Sequence, residues 1–265
     1  MLKDITLGQY FPGDTIVHRL DPRTKILVLI LYIVALFLAS GWVGYGVMIA
    51  VTAVCMLLSH IKPANIFKGL KPMLLIIAFT AALNLFYTKG TPVLPGWIIT
   101  WEGIAQAVKM ILRITLLIAG TFLLTYTTSP MELTDGMERL LSPLKKIGLP
   151  IHELTMMMSM ALRFIPTLIE ETDKIMSAQK ARGADVENGT LVQRAKALLP
   201  ILVPLFVSSF RRADELAVAM ECRCYHGGSG RTRMKQLHMT WQDGAAILLF
   251  ALLLAGMILL KRFGL

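Results

Sequence analysis

Several short patterns in this sequence have the residue types that chemistry uses, and their spacing decides whether they could use them. Gly227-Gly-Ser-Gly-Arg-Thr232 evokes a phosphate loop, but it lacks the invariant lysine and its spacing, and no strand pattern precedes it. A basic turn after a helix fits it better. The five histidines, His18, His60, His152, His226 and His238, form no metal-spaced pair. Glu170, Glu171 and Asp173 suggest the acidic metal site of a membrane prenyl-transfer enzyme. Adjacent carboxylates on a helix face different ways, however, so a solvated face accounts for them better. Cys55 lies in an apolar run, while Cys222 and Cys224 form a C-x-C in a polar segment. Three cysteines so placed give neither a disulfide framework nor a four-ligand zinc site, and reduced cytoplasmic thiols are expected. No catalytic set emerges, and no metal site.

Two arginines do stand in matched contexts. Asp173-Lys-Ile-Met-Ser-Ala-Gln-Lys-Ala-Arg182-Gly183 lies over Asp214-Glu-Leu-Ala-Val-Ala-Met-Glu-Cys-Arg223-Cys224. Both have an acidic residue, an aliphatic (Ile175 or Leu216), an alanine (Ala178 or Ala219), a small residue (Ala181 or Cys222), then arginine. On a helix the aliphatic, the alanine and the arginine share one face. The small residues permit close backbone approach and the guanidinium projects beyond them, giving a compact plug with a charged tip. One such arginine would be explained by the helix macrodipole, with Gly183 as a plain cap. Two in matching contexts point to two equivalent docking sites, since arginine is a frequent interface anchor.

The elements carrying these tips belong to a membrane protein. The chain has 265 residues, 55% hydrophobic and 17% charged, and the apolar residues are blocked into runs. Five segments approach the ~20 apolar residues that a helical span needs: roughly 26–40, 42–59, 73–87, 104–125 and 245–260. The first and third are short and are expected to extend into their flanks. Residues 1–22 show no cleavable signal pattern, so insertion is expected to use the first span. Arg19, Arg23, Lys25, Lys62, Lys68, Lys71 and the long polar segment fall on one side. Only Lys89, Lys261 and Arg262 fall on the other. The positive-inside rule then puts the N-terminus in the cytoplasm and the C-terminus outside. The net charge of +10 follows from that asymmetry rather than from nucleic-acid binding, for which no aromatic-interleaved basic surface appears. Lys109 and Arg113 interrupt the fourth run; a structural role, by snorkelling or pairing within the bundle, and a place on a transport path are the two readings.

The chain thus divides into residues 1–126 with about four spans, a cytoplasmic region 127–242, and a last span in 243–265. Within the cytoplasmic region the spacing predicts a short helix from Met131 to Leu141. A long helix from Ile151 towards Ala181 bends at Pro166, and another from Leu191 to Cys222 is broken or kinked at Pro200 and Pro204. Asn188–Gly189 separates the two. The first long helix opens with Met156, Met157, Met158, Met160, Ala161 and Leu162, apolar nearly all round. Methionine makes a flexible surface for differently shaped partners, or packs against the chain's own spans.

These residues carry a resemblance. Leu20-Asp-Pro-Arg-Thr-Lys25, Ala181-Arg182-Gly183 and Ala219-Met-Glu-Cys-Arg-Cys-Tyr225 resemble the transmembrane T component of energy-coupling factor transporters, the EcfT family, over nearly the whole chain. The resemblance implies an all-α membrane protein with about five transmembrane helices plus long cytoplasmic coupling helices. It implies that Ala181, Arg182 and Gly183, and Cys222, Arg223 and Cys224, dock on a pair of ABC-type ATPases; Cys222 and Cys224 depart from the family's Ala-Arg-Gly. It further implies that Met156, Met157, Met160, Leu162 and Pro166 touch a substrate-binding S component, whose cargo is a vitamin or metal ion. In that picture the chain is a non-catalytic subunit in the bacterial cell membrane. It binds no cofactor itself, and the partner subunits use ATP and Mg. A self-sufficient channel or carrier is the alternative, but it would be expected to show broken spans or inverted repeats.

Overall fold

A computed structural model describes residues 10–88, 90–92, 100–184, 190–227 and 236–262. Lys89, the Asn188–Gly189 separator and the turn after Gly227 lie outside the described residues. The described chain is helical: α1 (Ile16–Arg19), α2 (Pro22–Leu38), α3 (Trp42–Ser59), α4 (Pro63–Leu70), α5 (Leu74–Tyr87), α6 (Trp101–Thr127), α7 (Pro130–Leu141), α8 (Ile151–Ala181), α9 (Leu191–Cys222) and α10 (Trp241–Arg262). Short 3₁₀ turns, Lys71–Met73 and Ser142–Ile147, follow α4 and α7. The chain divides into two compact units, one formed by Gly8–Leu140 with Leu237–Leu265 and the other containing Leu141–Gln236.

The first unit is the membrane bundle. Four helical runs, Trp42–Ser59, Pro63–Tyr87, Trp101–Thr127 and Trp241–Arg262, are long and apolar enough to cross a bilayer. The 17-residue α2 stands at the short end of the spanning range, about 17–25 residues. The short third segment gains its length from α4 and the Lys71–Met73 turn, which carry the helical run back to Pro63. One core joins Tyr32, Ala35 and Leu36 of α2 to Tyr45 and Met48 of α3, Leu116 of α6, and Phe250 and Met257 of α10. Tyr32 Oη lies 2.8 Å from Thr52 Oγ1 and 3.0 Å from the Leu116 carbonyl oxygen. Gly120 leaves room for that ring: a Cβ there would stand 2.6 Å from Tyr32 Cε1. A second core gathers Ile61, Ile66, Leu70 and Ile77 against Ala119, Leu123 and Tyr126.

Helix ends in this unit are closed by cations and carboxylates. Lys109 Nζ donates to Ser40 O at 3.0 Å and Arg113 Nη2 to Ala39 O at 3.3 Å, so both cations serve the C-terminal end of α2. Each also lies over aromatic rings, Trp42 for Lys109, Phe37 and Tyr45 for Arg113. These contacts fit the structural reading of the two charges, because carbonyls at a helix C-terminus lack intrahelical donors and attract positive charge.

The Leu20–Lys25 motif makes the same kind of closure at the opposite end. Asp21 caps α2 through Arg23 N at 2.9 Å, with Pro22 at the first helical position. Asp243 accepts the Asp21 N–H at 2.8 Å and, at the start of α10, the Thr240 N–H and hydroxyl, each at 2.7 Å. Lys25, 6% exposed, donates to Thr127 O at the end of α6 and to His18 O in α1.

Candidate functional site

The second unit is built on α8 and α9, which pack together as an antiparallel pair. Glu171 of α8 accepts from Ser208 and from Arg212 Nη2 (3.2 Å) on α9, and Gln179 Nε2 donates to Pro200 O at 3.2 Å. As the numbering rises along α8 it falls along α9, which sets the sense of the pair. A cavity of about 240 Å³ between them is lined by Met160, Phe164 and Leu168 on one side and Arg212, Leu216 and Met220 on the other.

Both α8 and α9 continue unbroken through their prolines. The sequence predicts breaks or kinks at Pro200 and Pro204, and α9 is not broken at either. Pro204 has no N–H to give to Pro200 O, and the Gln179 side chain supplies that bond from α8. Gln179 escaped the sequence reading, because only the tertiary pairing reveals its partner.

The two arginines end their helices in the same way. Arg182 is the C-cap of α8; Arg182 N bonds Gln179 O (3.1 Å), Gly183 N bonds Lys180 O (3.0 Å) and Ala184 N bonds Gln179 O (3.0 Å). After α9, Arg223 N bonds Met220 O (3.1 Å), Cys224 N bonds Glu221 O (2.9 Å) and Tyr225 N bonds Met220 O (3.1 Å). This is one Schellman turn made twice, position for position. It needs a left-handed residue after each arginine. Gly183 takes φ 86° and Cys224 takes φ 54°. The departure at Cys224 from the family's glycine therefore leaves the backbone geometry intact. Ala181, Arg182, Gly183, Cys222, Arg223 and Cys224 are all exposed.

Antiparallel packing separates the tips. The register set by Glu171–Ser208 and Gln179–Pro200 places Arg223 beside the start of α8 near Met156, and Arg182 beside the start of α9 near Ala197. At about 1.5 Å per residue the tips stand roughly 39 Å apart along the pair. Each end thus joins one helix's arginine to the other helix's apolar start. On α8, Met157 and Met158 are exposed, Met156, Met160 and Leu162 half-buried, and Pro166 exposed; Met160 faces the cavity against α9. The first two-thirds of α9 shows the larger apolar face, with Leu198, Leu202, Phe206 and Phe210 following one another at four-residue steps, each 44% exposed or more.

Comparison with known proteins places this architecture. The family model described as cobalt transport protein, CbiQ, matches residues 13–235. The energy-coupling factor transporter transmembrane protein EcfT of Clostridium kluyveri is 56% identical, covering 99% of this chain and 98% of the relative. The chain belongs to the EcfT family. The EcfT of Thermosediminibacter oceani is 53% identical over 99% of both chains, and that of Bacillus subtilis 47% identical over 98% of this chain and 100% of its own. The family assignment makes the chain a transmembrane component of an energy-coupling factor transporter, a membrane transport subunit. The relatives span the whole length described here.

Proposed function

We propose that this chain is the coupling subunit of an energy-coupling factor importer, joining two cytoplasmic ABC-type ATPases to a membrane S component that binds a vitamin or metal ion. ATP and Mg are used by the ATPases; the chain itself contributes docking and motion, and no catalytic step. The observation that carries the reading is the pair of exposed arginines, each closing a long helix in the same Schellman turn at opposite ends of one antiparallel pair. Two spaced, equivalent tips suit a two-subunit motor. Each arginine presents a planar fork of donors that lysine lacks. The apolar starts of α8 and α9, with Met157 and Met158 on one and Leu198 and Leu202 on the other, offer the surface for the S component. In this reading the tips face the cytoplasm, the N-terminus is cytoplasmic, and the C-terminus is external.

Replacing both Arg182 and Arg223 with alanine tests it. The chain should insert in the membrane at normal level while ATPase recovery on co-purification, or ATP-driven uptake, falls at least tenfold. The double lysine variant should recover only part of the loss. Full uptake with normal ATPase recovery in the double alanine variant would sink the docking assignment. The S components that co-purify with the wild-type chain identify the cargo.

A further inference from the structure

The membrane bundle holds a cavity of about 460 Å³ that the coupling function does not use. Its walls are α2 (Val28, Tyr32), α3 (Val51, Cys55), α6 (Leu123) and α10 (Leu249), and almost all of its surface is hydrocarbon. Near Tyr45 and Met257, α3 and α10 share the core with α2. Towards Lys25 the lining draws on both helices and on Ile16, Val17 and Leu20 of the α1 segment, which lie at that end. The lining runs from Gln242 to Phe250 on α10 and from Lys25 to Tyr32 on α2. At 1.5 Å per residue that is about 10–12 Å, most of the ~15 Å depth of one hydrocarbon leaflet.

Water does not suit this space, because a water needs two to four polar partners and the lining offers few. The cavity is not sealed, so the medium around the bundle can enter it. The surrounding medium is lipid. One end of the cavity is polar: Lys25 lines it, with two of its three ammonium donors taken by Thr127 O and His18 O. Arg19, next to the lining residue Leu20, is exposed and has no ion-pair partner among the described residues. Three carboxylates, Glu132, Asp243 and Asp21, lie within electrostatic reach of Lys25; Asp243 accepts three donors from Asp21 and Thr240, and one oxygen of Asp21 accepts from Arg23 N.

We infer that the cavity holds one acyl chain of an anionic phospholipid, with its phosphate at the Arg19 and Lys25 end. In the orientation proposed above this is the cytoplasmic leaflet, which carries the anionic lipids. The inference goes beyond docking and does not depend on the arginine tips.

Native mass spectrometry of the delipidated full-length chain with dioleoyl-phosphatidylglycerol or dioleoyl-phosphatidylcholine tests it. The wild-type chain should retain one phosphatidylglycerol against detergent dilution and hold it at least fivefold better than phosphatidylcholine. Val51→Trp, which fills the cavity, should lower retention at least tenfold. Ile49→Trp, which adds the same ring to an exposed face of α3 outside the lining, should leave it unchanged. Arg19→Gln should bring phosphatidylglycerol down to the phosphatidylcholine level. Equal retention in the two tryptophan variants would overturn the site, and equal retention of both lipids by the wild-type chain would overturn the anionic headgroup.

A measurement on the unmodified chain guards against misfolding of the filled variant. Phosphatidylglycerol should slow alkylation of Cys55 by N-ethylmaleimide several-fold and leave Cys222 and Cys224 unchanged, as read by peptide mass. No slowing at Cys55 would also overturn the site. Because no ATPase takes part, failure here leaves the docking assignment standing, and failure of the double alanine test leaves the lipid site standing.

Discussion

Cys224 adopts a backbone conformation that an L-residue enters at a cost of about 1–2 kcal/mol, and it does so beside an arginine at a helix end. The turn is held by Cys224 N on Glu221 O and Tyr225 N on Met220 O. Cys224→Gly should therefore keep the turn and raise stability by up to about 1 kcal/mol, net of the extra freedom glycine gives the unfolded chain. Cys224→Val, β-branched at the same φ, should open the turn and weaken ATPase association. Thermal melting of the purified chain and ATPase recovery with each variant check both outcomes. Arg182 and Arg223 were legible as a pair because their repeat is local, a matter of spacing along one helix. Gln179 was not legible: its value lies in the carbonyl that Pro204 frees on another helix. The same holds for Lys109 and Arg113, whose depth in an apolar run was readable but whose acceptors, Ser40 O and Ala39 O, come from the far end of α2.

At the scale of elements, few polar contacts join α8 and α9 among the described residues. Arg212 and Glu171 are both partly exposed, and such an ion pair contributes about 0–1 kcal/mol. The Gln179–Pro200 bond adds about 0.5–1.5 kcal/mol. Glu171→Ala with Gln179→Ala should therefore leave the chain folded, and with the tips unaltered the ATPases should still be recovered with it. Uptake should nonetheless fall several-fold while ATP hydrolysis continues, because the pair no longer holds one register. Parallel assays of hydrolysis and uptake in proteoliposomes separate that outcome from loss of docking. Helix content and ends were largely legible, Ala181 and Cys222 to the residue, because apolar periodicity and caps are local signals. The α4 extension of the third span was less so. Its Lys62, Lys68 and Lys71 read as a loop, yet Pro63 opens a helix and Ile66 and Leu70 are buried against the α6 core.

The whole molecule comprises a membrane bundle and the α8–α9 unit, and in the proposed function the orientation of the bundle decides what the tips can meet. An Arg262→Cys variant should react with a membrane-impermeant maleimide in intact cells, whereas the native Cys222 and Cys224 should react only after permeabilisation. Labelling of Cys222 and Cys224 in intact cells would reverse the proposed topology. Charge asymmetry gives an expected orientation from sequence, but the antiparallel sense of α8 and α9 was not legible, since nothing local encodes which helix face meets which. That sense has a mechanical consequence. The contact register and the sequence repeat together put the midpoint of the pair at Ile169 and Phe210, and Arg182 and Arg223 each lie 13 residues beyond it. Pro166, Pro200 and Pro204 all precede the midpoint. The two stretches from midpoint to tip are thus free of proline, about 20 Å each, and in the proposed function each serves as a stiff arm. Inserting a single residue in one arm would swing its arginine about 100° around the helix, so the proposed coupling depends on arm length as well as on the arginines.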